Sequence, residues 1–267
     1  MPFVETNGVR TYYELEGAGP PIVFIHGAAC DRDMWRPQVE YFADKCSVIT
    51  YDLRGHGKSQ GSDGRYSCRL FADDLNALLQ SLDVREPVIC GISLGGMVAQ
   101  EYTVRYQQNL RGLVLADTAV STTLRFSDRV QKALFPKRLV LWMVRNMSRK
   151  RYADFSFRFF KMAPSVREYL VEKQLAMSQE ELLKVIEAAY DFELLDLASV
   201  SVPTLVIIGE NERKSVFPHA EKMLQLISNS RKVVIPGAGH ASNLENPMGF
   251  NRALEKFLSE LPSPRAT

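Results

Sequence analysis

The chain has 267 residues, of which 46% are hydrophobic and 24% charged, and 33 lysines and arginines against 31 acidic residues leave a formal charge of +2. A chain this long buries roughly three quarters of the surface its unfolded form exposes, so its core needs neither a disulfide nor a metal, and disordered or small-scaffold readings drop out. The near balance of charge gives no general affinity for nucleic acid, and about 150 residues per domain allows one domain with an insertion as readily as two in series.

The opening segment, Met1-Pro2-Phe3-Val4-Glu5-Thr6-Asn7-Gly8, lacks a basic start followed by an apolar stretch. It does not read as a secretory signal, and the expected location is cytoplasmic. Asn7-Gly8, flanked by residues 3–5 and 9–16, predicts a two-residue hairpin turn, because both positions tolerate positive φ. Short apolar runs at residues 21–25, 46–51, 88–92, 113–116, 204–208 and 232–235 have the character of strands buried on both faces. Helical spacing lies between them. Leu70, Phe71, Leu75, Leu78, Leu79 and Leu82 share one face of a segment that Ser67 can cap, and Met97, Val98, Tyr102 and Val104 mark another helix. The alternation predicts a mostly parallel sheet covered on both sides.

The pattern breaks off after Asp117 and resumes at Pro203. The intervening stretch of about 80 residues carries helix-like apolar spacing over 127–151 and 166–195, with Pro136 and Pro164 as breaks. It is also unevenly charged: from Arg125 to Lys161 eleven basic residues face only Asp128 and Asp154. The apolar runs at 20–25 and 139–144 are each six residues long, far short of the roughly 20 needed to span a bilayer. Cys30, Cys46, Cys68 and Cys90 form no C-x-x-C pair, so neither a zinc site nor a redox dithiol is indicated; they read as reduced, buried fillers.

The sharpest chemical signal is Gly91-Ile92-Ser93-Leu94-Gly95, a G-x-S-x-G placed where a buried strand gives way to a helix. A serine held on a strained turn needs tiny residues two before and two after it, because the backbones on either side crowd together. A hydroxyl is a weak nucleophile, so Ser93 calls for a histidine base and an orienting carboxylate. His240, in the loop Pro236-Gly237-Ala238-Gly239-His240 before a helix begun by Asn246 and Pro247, is the preferred base. His26 reads as a loop-shaping residue, His56 as part of a glycine turn, and His219 as an exposed helix start. The acid is expected after the strand at 204–208, at Glu212, with Asp117 at the end of the preceding strand as the alternative and Glu210 close enough to compete. For the oxyanion hole, the amide of Leu94 is one expected donor, and the loop His26-Gly27-Ala28-Ala29 supplies the other, Ala28 first. Gly57-Lys58-Ser59 ends like a P-loop, but the required first glycine falls at Asp52, so nucleotide binding is not supported. No metal or organic cofactor is called for.

Four motifs in order, His26-Gly27, Asp52-Leu53-Arg54-Gly55-His56-Gly57-Lys58-Ser59, the serine turn and Gly239-His240, resemble the α/β-hydrolase superfamily over nearly the whole chain. The stretches Leu94-Gly95-Gly96-Met97-Val98-Ala99-Gln100-Glu101 and Leu113-Val114-Leu115-Ala116-Asp117-Thr118-Ala119 look like its small esterase and enol-lactonase branch. The resemblance implies a mostly parallel eight-stranded sheet with helices on both faces. It also implies a core of residues 1–119 and 201–267, with residues 120–200 as a helical cap over the active site. It departs from the family at the acid, where glutamate stands in place of the usual aspartate. Serine at position 93, where dehalogenases and epoxide hydrolases carry aspartate, favours acyl transfer. The implied substrate is a small ester; enol-lactone hydrolysis and carbon-carbon cleavage use the same triad. Phe126, Phe135, Trp142, Met143, Phe155, Phe157, Phe159 and Phe160 read either as an apolar roof or as ordinary helix packing. Two further readings are a non-catalytic binding protein on this fold and a membrane-facing basic segment.

Overall fold

The structure, a computed structural model, describes residues 2–262. Met1 and residues 263–267, the outer ends of the expected core segments, lie outside the described residues. The chain opens with strands β1 (Phe3–Thr6) and β2 (Val9–Glu16), joined by Asn7 and Gly8 at φ +44° and +79°. Positive φ at both central residues twists the turn in the sense of the flanking strands, which is why Asn-Gly stands there. Then follow β3 (Pro21–Ile25), β4 (Ser47–Tyr51), β5 (Val88–Ile92), β6 (Gly112–Ala116), β7 (Thr204–Gly209) and β8 (Ser230–Ile235). All six apolar runs become strands, with ends moved by no more than two residues. The eight described strands form one sheet in the order β1-β2-β4-β3-β5-β6-β7-β8, antiparallel at β1/β2 and β2/β4 and parallel elsewhere.

Helices α1 (Arg36–Phe42), α2 (Cys68–Ser81) and α3 (Leu94–Tyr106) lie between strands of the first half. Helices α4 (Phe126–Leu134), α5 (Lys137–Asn146), α6 (Arg149–Phe157), α7 (Pro164–Ala176) and α8 (Gln179–Tyr190) separate β6 from β7. The chain ends with α9 (Phe217–Leu226), α10 (Ser242–Glu245) and α11 (Pro247–Glu260). Pro136 and Pro164 act as expected, one just before α5 and one at the first position of α7. The long stretches at 127–151 and 166–195 each divide once more, before Ser148 and Ser178. Each of these serines accepts a hydrogen bond from the amide three residues on, Arg151 and Glu181, and so starts a new helix where the spacing alone read as continuous.

Each central strand is buried on both faces and feeds two cores. In β3, Val23 and Ile25 join the side covered by Phe71, Leu75 and Leu78 of α2, while Ile22 and Phe24 join Trp35, Phe42, Phe250 and Leu254 on the side of α1 and α11. Full burial of each such side chain contributes about 1.5–3 kcal/mol. The Ser67 hydroxyl accepts from the Leu70 amide, as its place ahead of the leucine face predicts; Ser67→Ala should cost about 1 kcal/mol, read as a lower urea midpoint at unchanged slope. The Asp52–Ser59 stretch is structural. Asp52 accepts from the Arg32 and Lys58 amides, and Arg54 makes a forked pair with buried Asp74, with donor-acceptor distances of 2.8 and 2.6 Å. All four cysteines are buried and unpaired. Among the described residues no helix is long and apolar enough to cross a membrane.

Candidate active site

Ser93, Asp117, Glu212 and His240 all follow the carboxyl ends of neighbouring parallel strands, β5 to β8, where open α/β sheets place their ligands. Ser93 sits between β5 and α3 at φ +53°, ψ −118°, a conformation foreign to a residue with a side chain. The surroundings hold it there. Its amide donates to Ala116 O at 3.0 Å, and its carbonyl accepts from the Thr118 hydroxyl at 2.6 Å and from the Gly96 and Met97 amides at 3.0 and 3.2 Å. The turn closes only because Gly91 and Gly95 have no side chains: a Cβ on Gly91 would lie 2.2 Å from Gly95 O, and one on Gly95 2.2 Å from Ile25 O. Gly91→Ala must therefore push backbone against backbone; it is expected to lose about 1–3 kcal/mol of stability, read as a lowered urea midpoint.

His240, carried by the loop after β8, brings the parts together. Its Nε2 lies 3.1 Å from Ser93 Oγ, and its Nδ1 lies 2.5 Å from Glu212 Oε2. The same carboxylate accepts from the Arg213 amide through Oε1 at 2.6 Å. Burial disfavours charge on the imidazole, but the Glu212 charge, its hydrogen bond and the Asp117 charge outweigh it and raise His240 above its ordinary value of 6.5. Burial also works against charge on Glu212, yet His240 and the Arg213 amide hold its carboxyl below the usual range. Glu212 thus sits beside His240, and Glu210 turns away to accept from the Gly237 amide.

Asp117 is also close, in a different role. Its two carboxylate oxygens accept from the Gly209 amide at 2.8 Å and the Ser242 amide at 3.1 Å, tying the end of β7 to the loop that carries His240. Burial pushes it up to about 7. Sequence reasoning found this carboxylate but not its brace-like contacts, because the partners are backbone amides 92 and 125 residues away.

The loop after β3 is shaped by two neutral histidines. His26 Nδ1 lies 2.8 Å from Gly27 O and its Nε2 accepts from the Leu53 amide; His56 Nε2 accepts from the Ala29 amide at 3.3 Å. Burial lowers both, His56 to about 3. The Ala29 amide is therefore committed, whereas the Ala28 and Leu94 amides have no acceptor among the described residues. His219 is not an exposed helix start: it is buried in the first turn of α9, with its Nε2 3.9 Å from Asp128 of α4, because the inserted helices fold down over it.

A cavity of about 210 Å³ opens onto Ser93 and His240, lined from the inserted helices by Tyr152, Phe157, Leu170, Leu182 and Ile186 and by Phe160 just beyond α6. Only two of the eight side chains read as a roof, Phe157 and Phe160, line it. Phe126, Trp142 and Phe159 instead stand 81%, 57% and 56% exposed. Phe160 packs on the His240 ring, centroids 4.7 Å apart, and carries the Arg213 guanidinium on its own face at 4.2 Å. Neither contact was visible in the sequence, where Phe160 is one aromatic among many. Among the described residues no group of three or more His, Cys, Asp or Glu side chains is placed to hold a metal.

Comparison with known proteins agrees with this fold. Residues 20–247 match the family model described as alpha/beta hydrolase fold. The chain is 28% identical to 3-oxoadipate enol-lactonase 2 of Acinetobacter baylyi, over 90% of this chain and 88% of that protein. It is 30% identical to a putative non-heme chloroperoxidase of Synechocystis, over 97% of this chain and all of that one. Among solved structures, a thermophilic esterase from Thermogutta terrifontis superposes with a TM-score of 0.85 at 29% identity, covering 97% of each chain. A serine turn between β5 and α3, a histidine after the last strand and a family match spanning most of the sequence agree, and the chain belongs to the alpha/beta hydrolase fold family.

Proposed function

We propose that the protein is a serine hydrolase of small carboxylic esters, acting through an acyl-enzyme. The observation that carries the reading is the unbroken run of contacts from Ser93 Oγ to His240 Nε2 and from His240 Nδ1 to Glu212 Oε2. Ser93 Oγ attacks the ester carbonyl while its proton passes to His240 Nε2. The Leu94 and Ala28 amides hold the oxyanion, and collapse of the tetrahedral intermediate expels the alcohol, which takes the proton back from His240. Water then repeats the cycle against the acyl group, with His240 as base, and releases the acid. Glu212 keeps the Nδ1 tautomer and offsets the imidazolium charge at each protonation. Each oxyanion donor is worth roughly 3 kcal/mol of barrier.

Residues 120–200 serve in this reading as a cap that excludes water and selects the substrate. The cavity of about 210 Å³ suits a short acyl or lactone group, being smaller than the roughly 300 Å³ at which pockets for drug-sized ligands begin. Gln174 lines it together with Ser156 and a mostly apolar set, and, with its Nε2 unpaired among the described residues, is the natural donor to a second substrate oxygen. Similarity to 3-oxoadipate enol-lactonase 2 favours, as the second reading, a lactone in place of an open-chain ester, opened by the same steps.

Two measurements test this. A panel of short p-nitrophenyl esters, lactones and diketones ranks the substrate class; no turnover of any member would contradict the proposal. The pH profile tests the base. His240 must be neutral to accept a proton, and its value lies above 6.5, so kcat/KM should fall as pH drops through a midpoint above 6.5. A flat profile from acid to neutral pH would remove His240 from the role.

A further inference from the structure

Helices α4 and α5, joined at Phe135 and Pro136, turn large apolar side chains outward. Phe126, Val130 and Leu134 recur every four residues along α4 and are 81%, 41% and 67% exposed; Phe135, Leu139 and Trp142 follow at 40%, 37% and 57%. Spacing of four puts the α4 trio in one stripe. Isolated exposed hydrophobes need no explanation, but six large ones on two consecutive helices mark a surface that meets something apolar.

The charges around them say what that is. Arg125, Arg129, Arg138 and Arg145 are all exposed, and none has a carboxylate partner among the described residues. The one acid in the two helices, Asp128, is buried, with its carboxylate accepting from the Arg125 amide. Lys137 is spent on Glu187 and Asp191. A second copy of this surface would bring four unpaired arginines against four more with no exposed acid on either helix to receive them. An anionic lipid surface offers what both features lack, phosphate oxygens for the arginines and an acyl boundary for Trp142, the phenylalanines and the leucines.

We propose that α4 and α5 form an interfacial docking surface for anionic phospholipid membranes, held by the exposed arginines and by shallow insertion of the α4 stripe and Trp142. The surface is independent of the triad, since none of these side chains lines the cavity at Ser93.

The test uses the full chain with vesicles of phosphatidylglycerol or of phosphatidylcholine. The two tryptophans make the readout selective, because Trp35 is completely buried while Trp142 is exposed. Phosphatidylglycerol vesicles should sediment the protein and shift its emission to the blue. Raising salt well beyond 0.1 M, where charges are screened within about 10 Å, should release it. Trp142→Phe should keep sedimentation and lose the shift. Changing all four arginines to glutamine should weaken binding by more than a hundredfold, about fivefold for each. The same variant should turn over a soluble ester normally, which shows that it is folded. No sedimentation with phosphatidylglycerol at low salt, or equal sedimentation with phosphatidylcholine, overturns the proposal. So does concentration-dependent dimerisation that Phe126→Ser with Leu134→Ser abolishes while vesicles are ignored, because the surface would then belong to a second copy.

Discussion

Ser93→Ala is expected to lower kcat toward a p-nitrophenyl ester by about a million-fold, with urea unfolding little changed. The size follows from the way the site is wired. Ser93 Oγ is the atom 3.1 Å from His240 Nε2, so on the proposed mechanism removing it leaves His240 with nothing to activate in the first half-reaction. In enzymes where nucleophile and base act as one unit, losing either costs about as much as losing both, and what remains comes from the oxyanion donors and binding. The fold should survive, because what holds the turn is the backbone of Ser93, through Ala116 O, the Thr118 hydroxyl and the Gly96 and Met97 amides. Turnover equal to wild type would move the nucleophile elsewhere; loss of activity together with loss of folding would be separated by Ser93→Cys, which preserves the side-chain shape and keeps a reactive atom.

The second large effect separates the two carboxylates. Glu212→Gln keeps the shape but presents an amide to His240 Nδ1, and a neutral amide neither fixes the productive tautomer nor offsets the imidazolium charge. A loss of about 10⁴ in kcat is expected, the cost of the corresponding change in the serine-protease triad. With the main source of upward shift gone, the midpoint of the acid limb should also move down. Asp117→Asn should behave otherwise. One of its two amide acceptors becomes a donor facing an N–H, so about 1–3 kcal/mol of stability should go, with a smaller effect on kcat. If Asp117→Asn, still folded, lost more kcat than Glu212→Gln, the orienting role would belong to Asp117.

These expectations indicate how much could be read from the residues alone. The strands were legible because runs such as residues 21–25 and 88–92 are apolar at every position, the mark of burial on two faces. The Asn7-Gly8 turn, the Ser67 cap and the Asn246-Pro247 start of α11 rest on local backbone chemistry and stand where that chemistry puts them. The serine turn is legible for the same reason, since its two glycines answer to contacts within a few residues or across one strand.

What stayed hidden depends on contacts across the chain. No local feature says that Glu210 bends toward Gly237 while Glu212 meets His240; that follows from how the loop leaves Gly209. His219 beside a proline has the look of an exposed helix start, and only the descent of α4 buries it against Asp128. The inserted helices are the least legible part because their spacing is amphipathic without naming the partner of each face. Phe157 and Phe160 turn toward the site, while Phe126 and Trp142 face outward.

The central claim is that the Ser93 hydroxyl is made nucleophilic by His240. The most direct measurement treats the protein with a fluorophosphonate and maps the adduct by peptide mass spectrometry. One adduct per chain is predicted, on Ser93, formed in wild type and lost in His240→Ala. An adduct on another residue, or labelling of Ser93 at an undiminished rate without His240, would contradict it.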